Sequence, residues 1–276
     1  MRPFALALIL ALAAGPAFAQ PASSWAAHQG PSAGPARVIG TTSLGCLAGG
    51  EALPTEGPGW QAVRLSRNRN WGHPETIRSI RTLARRARSV GLPDLLIGDV
   101  AQPRGGPLPY GHASHQSGLD FDVWLDVNPR APLSRAQRED WPVASLVVPD
   151  QSGVDPNRFT AAHARLIRLA AELPNVDRVL VNHGIKRSLC AVHGGETWLR
   201  RVRPWRGHDS HMHVRMRCPA GSAECQEAPP IPAGDGCDAS LDWWLSDEAR
   251  RPPSPPRTPG PPPALPAACG PVFRAR

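Results

Sequence analysis

The sequence predicts an α+β fold in which helices flank a small, mainly antiparallel sheet. Segments 120–127 and 211–218 alternate apolar and polar residues, which is the pattern of strands with one buried face. Segment 74–90 instead repeats apolar residues at helical spacing. The chain also contains 33 prolines and 26 glycines, which indicate a loop-rich fold. We expect one domain, because no internal repeat is visible and the helices can pack on a single sheet.

The N-terminal residues have the pattern of a secretory signal. Arg2 precedes the apolar run 5–14, and Ala17-Phe18-Ala19 fits a cleavage site, so we predict a signal peptide over residues 1–19. No later segment is long and apolar enough for a membrane helix. We therefore expect export to the periplasm as a soluble protein, without stable membrane insertion.

Composition divides the rest of the chain. Residues 20–40 are rich in Ala, Gly, Ser and Pro, and we expect a flexible lead-in there. The main domain is predicted over 41–249. In the tail over 250–276, nine prolines between 252 and 266 favour an extended chain. Because Cys269 lies beyond these prolines, we expect a disulfide to tie the tail back to the domain.

The helix over 74–90 has clear ends. Pro74 suits the first helical position, and Gly91 and Pro93 end the helix. Its apolar face consists of Ile77, Ile80, Leu83, Ala84, Ala87 and Val90. Further along, the pattern predicts a second helix over 159–172 and four strands, at 94–101, 120–127, 178–182 and 211–218.

Charge and cysteine content narrow the class of protein. The formal net charge of +8 attracts polyanions but does not distinguish nucleic acid, anionic lipid and acidic wall polymers. An even number of cysteines in an exported protein predicts disulfides, and the absence of a C-x-x-C pair disfavours a zinc–thiolate site. Sequence alone leaves their pairing open. The six are Cys46, Cys190, Cys218, Cys225, Cys237 and Cys269.

Two short segments carry an unusual density of histidine and aspartate. Segment 111–122 places two histidines on a loop and two aspartates on one face of the strand that follows. Segment 211–213 places two histidines on one face of a later strand. If the strands are neighbours, these groups converge as a catalytic zinc requires, with three N/O ligands and a fourth position for water. The residues are His112, His115, Asp120, Asp122, His211 and His213.

These motifs resemble those of the penicillin-insensitive murein endopeptidases, a group of the LAS metallopeptidases. The resemblance covers most of the chain from about Cys46 onward. It implies an LAS-type metallopeptidase core and zinc-dependent hydrolysis of D-alanyl–meso-diaminopimelyl cross-links in peptidoglycan. The shared segments are 71–74 (WGHP), 96–99 (LIGD), 111–122 (GHASHQSGLDFD), 201–205 (RVRPW), 211–215 (HMHVR), 218–219 (CP) and 234–237 (GDGC).

The resemblance also implies roles for individual residues. His115, Asp122 and His213 match the zinc ligands, and His211 matches the general base or transition-state stabiliser. Asp120 shares the face of Asp122, and we interpret it as an acceptor that fixes the tautomer of a ligand histidine. His208 precedes the pair on a loop, where it contacts substrate or is a plain surface residue.

A second metal site has been described for the family. His112 and Asp150 match two of its ligands, but no histidine lies near Gly153, where the third ligand belongs. We therefore expect one zinc, with His112 orienting substrate or supporting a ligand. The family's disulfides would pair Cys46 with Cys269, Cys190 with Cys237, and Cys218 with Cys225.

Several residues are given plainer interpretations. His73 is expected to cap a helix, and His163, His183 and His193 have no companions at ligand spacing. Trp243-Trp244 could stack on sugar rings, but we prefer packing near Cys237.

Other functions remain open on the sequence. A D,D-carboxypeptidase or amidase acting on wall peptides would use the same fold. A basic nuclease is disfavoured because no nuclease motif is present, so we expect no nucleic-acid partner. A non-catalytic wall-binding module is disfavoured because it would not need His211 beside the metal. The sequence does not report the oligomeric state.

Overall fold

The computed structural model describes residues 20–251 and 263–275. The predicted signal peptide and residues 252–262 of the predicted tail lie outside the described residues. Among the described helices, none combines the length and apolarity needed to cross a membrane. The described strands are β1 (Arg37–Gly40), β2 (Gly45–Ala48), β3 (Glu51–Ala52), β4 (Glu56–Gly57), β5 (Trp60–Ala62), β6 (Trp71–Gly72), β7 (Leu95–Ile97), β8 (Asp120–Trp124), β9 (Val176–Val181), β10 (Val202–Pro204) and β11 (His211–Met216). The described helices are α1 (Ala22–Ala26), α2 (Pro74–Ser89), α3 (Arg135–Asp140), α4 (Ala161–Ala171), α5 (His183–His193), α6 (Ala239–Trp244), α7 (Asp247–Arg250) and α8 (Cys269–Arg274).

A seven-stranded sheet forms the centre of the molecule, in the order β10-β9-β11-β8-β7-β5-β4. Its middle, from β9 through β11 and β8 to β7, is antiparallel. The pairs β10–β9 and β5–β7 are parallel. The sheet is therefore mainly antiparallel, as predicted. It also contains parallel pairs and is larger than the small sheet expected. The short outer strands were not predicted, because their sequences show no alternating pattern.

Helices α2 and α4 cover one face of this sheet, and their apolar faces are buried with those of the strands. Phe121 and Val123 of β8 and Val214 of β11 are fully buried in the same core as Ile80 and Leu166. Alternation along β8 and β11 sends these side chains to the helices. The intervening side chains therefore point to the opposite face, where the functional site lies.

The two predicted helices are confirmed with small shifts of their ends. Helix α2 begins at Pro74, and the His73 Nδ1 accepts a hydrogen bond from the backbone N–H of Glu75 at 3.3 Å, which confirms the capping role. The four predicted strands correspond to β7, β8, β9 and β11; three are shorter than predicted, and β9 begins two residues earlier and ends one residue earlier. Helix α5 was not predicted.

Residues 20–40, for which we predict a flexible lead-in, pack against other parts of the described chain. This segment contains α1 and β1, and Trp25 is completely buried. Trp25, Ile39, Cys46 and Val272 share a small second core with α8, so the two ends of the described chain pack together. The composition of the segment concealed this, because the partners of Trp25 lie at the other end of the chain.

Three disulfides are present, and they join the pairs that the family resemblance implied. The bridge between Cys46 and Cys269 spans 223 residues and attaches α8 to β2. A second bridge precedes α6, and a third closes a short loop after β11. Their members are Cys190–Cys237 and Cys218–Cys225.

Candidate metal centre

The centre is built first by the pairing of β8 with β11. The two strands are antiparallel, and His213 lies directly opposite Asp122 in their register. Because side chains alternate along a strand, Asp120 and Asp122 share a face with His211 and His213. The structure therefore confirms that the two segments converge.

The loop before β8 supplies His115. Its backbone is left-handed, with φ of 65°, and two contacts hold it there. The ring Nδ1 lies 2.8 Å from the Val100 carbonyl oxygen, and the backbone N–H donates to Asp120 Oδ2 at 3.1 Å. An Nδ1–H donated to Val100 leaves Nε2 as the acceptor atom that faces the centre.

The acceptor atoms of this face meet at one point. Asp122 Oδ1 lies 3.4 Å from His115 Nε2 and 3.2 Å from His213 Nδ1. His112 Nε2 lies 3.2 Å from the other oxygen, Oδ2. One ligand atom from each of these four residues lies within 4.8 Å of the others.

The residues present fit a zinc ion. His115 Nε2 and Asp122 Oδ1 are buried and have no hydrogen-bond partner among the described residues, although a buried polar atom normally has one. Atoms about 2.1 Å from a tetrahedral zinc lie about 3.4 Å apart, which matches the separations from Asp122 Oδ1 to the two imidazoles. Two imidazoles and a carboxylate are also a donor set that zinc accepts.

Electrostatics at the centre favour a cation. Burial lowers the pKa of His115, but the carboxylates of Asp122, Asp120 and Asp99 together outweigh burial and raise this pKa to about 9. Burial raises the pKa of Asp122, and the attraction of His115 and His211 holds it well below the usual range. The carboxylates of the metal-free centre therefore attract positive charge to the point where the imidazoles meet.

Asp120 lies behind the centre and touches both ligand histidines. Besides accepting from the His115 backbone, its Oδ1 lies 3.3 Å from His213 Nε2. Arg215 donates through Nε to the same Oδ1 at 2.9 Å. Burial raises the pKa of Asp120, and the positive charges of His213 and Arg215 outweigh burial and hold this pKa well below its usual range. The carboxylate is thus available to orient the His213 ring.

Comparison with known proteins identifies the family of this chain. The family model described as penicillin-insensitive murein endopeptidase matches residues 38–274. A penicillin-insensitive murein endopeptidase of Haemophilus influenzae is 45% identical over 215 residues, covering 77% of this chain and 74% of that protein. One from Klebsiella pneumoniae is 41% identical over 270 residues, covering 98% and 97%. This chain belongs to the penicillin-insensitive murein endopeptidase family.

His211 stands beside the centre of this murein endopeptidase family member. Its Nε2 lies 4.0 Å from Asp122 Oδ2, and its side chain is 22% exposed. It borders an open cavity of about 210 Å³ above the four-residue cluster. The cavity is also lined by Arg64, Arg67, Asp99, His112 and Asp122.

His208 lies next to His211, which is consistent with its predicted place on the loop before β11. The ring centroids of His208 and His211 are 4.9 Å apart, and His208 Nδ1 lies 2.8 Å from the Arg206 carbonyl oxygen. Burial first, and then the neighbouring imidazoles His211 and His213, lower the pKa of His208 to about 4. This residue is therefore neutral at physiological pH in the metal-free protein.

The two residues matched to a second metal site lie in different surroundings. His112 belongs to the cluster and also lies 3.8 Å from Asp99 Oδ2. Asp150 is exposed, and its Oδ1 accepts hydrogen bonds from the backbone and hydroxyl groups of Ser152. Asp150 is not among the residues that the described structure gathers into the cluster.

One group near the centre was missed from the sequence. Asp99 is buried beside His112, and Arg69 Nη1 donates to it at 2.7 Å. Arg67 Nη1 also contacts it at 3.1 Å. Asp99 belongs to the shared LIGD segment, which could have identified it as a candidate site residue. Arg67 and Arg69 could not be identified in this way, because they are distant in sequence from Asp99 and lie in none of the shared segments.

Proposed function

We propose that this protein is a zinc-dependent endopeptidase of the periplasm that hydrolyses D-alanyl–meso-diaminopimelyl cross-links in peptidoglycan. The observation that carries the proposal is the convergence of His115 Nε2, His213 Nδ1 and Asp122 Oδ1 on one point beside an open cavity. The antiparallel strands β9, β11, β8 and β7 that carry or support these residues also favour an LAS-type core.

His115, Asp122 and His213 would hold the zinc and leave a fourth position towards the cavity. When bound, zinc would lower the pKa of a coordinated water to about 7 and would polarise a carbonyl group. Asp120 holds His213 by its second ring nitrogen, so that Nδ1 remains directed at the metal position.

His211 is the residue that we assign to proton transfer or to stabilising the oxyanion. Its Nε2 is buried and lacks a hydrogen-bond partner among the described residues, so it is free to accept a proton or to bind a reacting oxygen. His208 lies against it and contributes a neutral ring that can hydrogen-bond substrate. His112 supports Asp122 Oδ2 from the opposite side.

The shape of the surface favours an endopeptidase. The cavity at the metal position shares Trp124, Val143 and Ser210 with a groove of about 560 Å³ that continues along the surface. A groove that extends past the reacting position can hold chain on more than one side of the scissile bond. A carboxypeptidase needs room for only one residue beyond that bond.

The test uses purified cross-linked muropeptide dimers, incubated with the zinc-loaded protein and analysed by mass spectrometry. We expect monomers to form, to stop forming with a chelator, and to return with added zinc. Removal of a terminal D-alanine without loss of dimers would replace the proposal by a carboxypeptidase. Separation of peptide from glycan would replace it by an amidase, and intact substrate with a folded, zinc-loaded protein would leave a wall-binding module.

A further inference from the structure

Three tryptophans form an aromatic surface beside the functional site. Trp244 lies in the middle, with its ring centroid 5.9 Å from that of Trp205 and 5.1 Å from that of Trp243. His183 stacks on Trp244 at 6.5 Å and an interplanar angle of 24°. Trp205 and Trp243 are 51% and 46% exposed, so two indole rings are open to solvent.

Both exposed rings are attached to rigid parts of the fold. The backbone N–H of Trp205 donates to the Val181 carbonyl oxygen at 2.8 Å, which continues the pairing of β10 with β9. Trp243 lies on α6, whose first turn is capped by Asp238, and the disulfide at Cys237 ties this helix to α5. The rings therefore form a preorganised surface, and ordering it on binding costs little entropy.

A short loop connects Trp205 of the aromatic surface to His208 of the candidate active site. Trp205 is three residues before His208, so their Cα atoms are at most about 11 Å apart. Asn182 fixes the connecting loop, because its N–H donates to the His208 carbonyl oxygen at 2.8 Å and its Nδ2 donates to that of Gly207 at 3.1 Å. A ligand that contacts Trp205 can therefore follow this fixed loop towards the site.

We propose that Trp205, Trp243 and Trp244 bind the glycan strand from which the cleaved peptide extends. This inference rests on the proposed function, because that function supplies a substrate in which peptide is attached to sugar. The apolar C–H face of a pyranose ring matches the negative face of an indole. Two exposed tryptophans on a soluble protein also indicate a binding surface, since burying them in a complex removes a large apolar area from water.

The dimensions of the substrate agree with this placement. A stem peptide of four residues spans at most about 14 Å when extended. The Cα atoms of Trp205 and His208 are separated by a similar distance, at most about 11 Å. The ring of His208 in turn contacts that of His211. The length of one stem peptide is therefore comparable with the separation between Trp205 and the site.

The first test compares two substrates that contain the same peptide cross-link, one with its sugars and one from which they have been removed. We expect Trp205→Ala and Trp243→Ala to lower the ratio of kcat/KM between the sugar-bearing and sugar-free dimers by about tenfold. The Phe variants should retain this ratio to within about threefold, because they keep an aromatic face. Val192→Ala, at a 77% exposed apolar residue that lies outside the tryptophan cluster, is the matched control and should keep the wild-type ratio.

A second measurement does not depend on catalysis. Peptide-free glycan strands are titrated into the protein while its tryptophan fluorescence is recorded. Saturable quenching that weakens about tenfold in the Ala variants supports the proposal. An unchanged fluorescence signal in the wild type, or a wild-type ratio of kcat/KM in both Ala variants, overturns it. If neither dimer is cleaved by the wild type, the proposed function fails, and the glycan titration alone decides the role of the tryptophans.

Discussion

Replacing Asp120 by Asn tests whether one buried carboxylate positions the zinc ligands. Asp120 is completely buried and receives the His115 N–H, the Arg215 Nε–H and the His213 ring. Asparagine keeps the size but loses the charge, and it turns an NH₂ group towards one of these donors. The change therefore disturbs the pairing with Arg215 and the orientation of His213 together.

The two effects have different magnitudes and can be separated. Removing the buried charge that pairs with the half-buried Arg215 costs about 3–5 kcal/mol of unfolding free energy, independent of metal. Loss of the acceptor for His213 weakens zinc binding by about 10–100-fold. At saturating zinc that loss adds about 1.4–2.7 kcal/mol to the destabilisation.

The assay combines urea unfolding, with and without zinc, and a zinc titration against a competing chelator. Asp126→Asn is the matched control. Like Asp120, Asp126 contacts an arginine and accepts a hydrogen bond, here from the Trp141 indole, but it is not part of the four-residue metal cluster. We expect the control to keep the wild-type zinc affinity. If Asp120→Asn unfolds more easily but binds zinc within twofold of the wild type, Asp120 acts only on Arg215 and the proposed positioning role is wrong.

Four further changes test other parts of the structure. His211→Ala should lower kcat by about 10²–10⁴-fold while one zinc per chain remains, and loss of zinc would contradict the role of His211. His112→Ala should weaken zinc binding about tenfold at unchanged stoichiometry, and a fall from two zincs to one would contradict this expectation. Lys186 is buried, and burial together with the charge of Arg203 lowers its pKa to about 8. Between pH 8 and 10 the unfolded state therefore binds more protons than the folded state, so the unfolding free energy should rise by about 2 kcal/mol over this range. Lys186→Met should lack this rise in urea unfolding, and an equal rise in the variant would assign it to other groups. Removing the Cys46–Cys269 bridge by a double Ala substitution should cost about 4 kcal/mol of unfolding free energy, and a cost below about 1 kcal/mol would show that the small second core holds without it.

The metal centre could be predicted because its residues lie in two short segments with strand periodicity. Alternation placed Asp120 with Asp122 and His211 with His213, and one strand pairing then brought the two pairs together. The family resemblance added the order of the ligands and the disulfide pairs. Local pattern and one long-range contact were enough for this part of the structure.

Other parts of the fold depend on long-range contacts that no local sequence pattern indicates. Strand β5 pairs in parallel with β7. It has only three residues, which is too short for a periodic pattern to be detected. Helix α5 places Lys186 in the interior, where its ammonium group donates to the Leu199 and Asp235 carbonyl oxygens, so its charge obscured the apolar face. Trp25 in the expected lead-in is buried by the C-terminal helix, and only the fold brings those segments together.

Contacts within the protein hold the residues of the centre in place. A left-handed backbone at a residue with a side chain costs about 1 kcal/mol or more, and His115 keeps it because Val100 and Asp120 both hold the residue. Asp122 and His213 are fixed by the β8–β11 ladder. Asp120 contacts the backbone of one ligand histidine and the ring of the other, so this carboxylate joins the two ligands in addition to the Val100 contact and the ladder. A substitution there therefore acts on both ligand histidines at once, whereas His112 contacts the ligand carboxylate of Asp122 through its second oxygen, Oδ2.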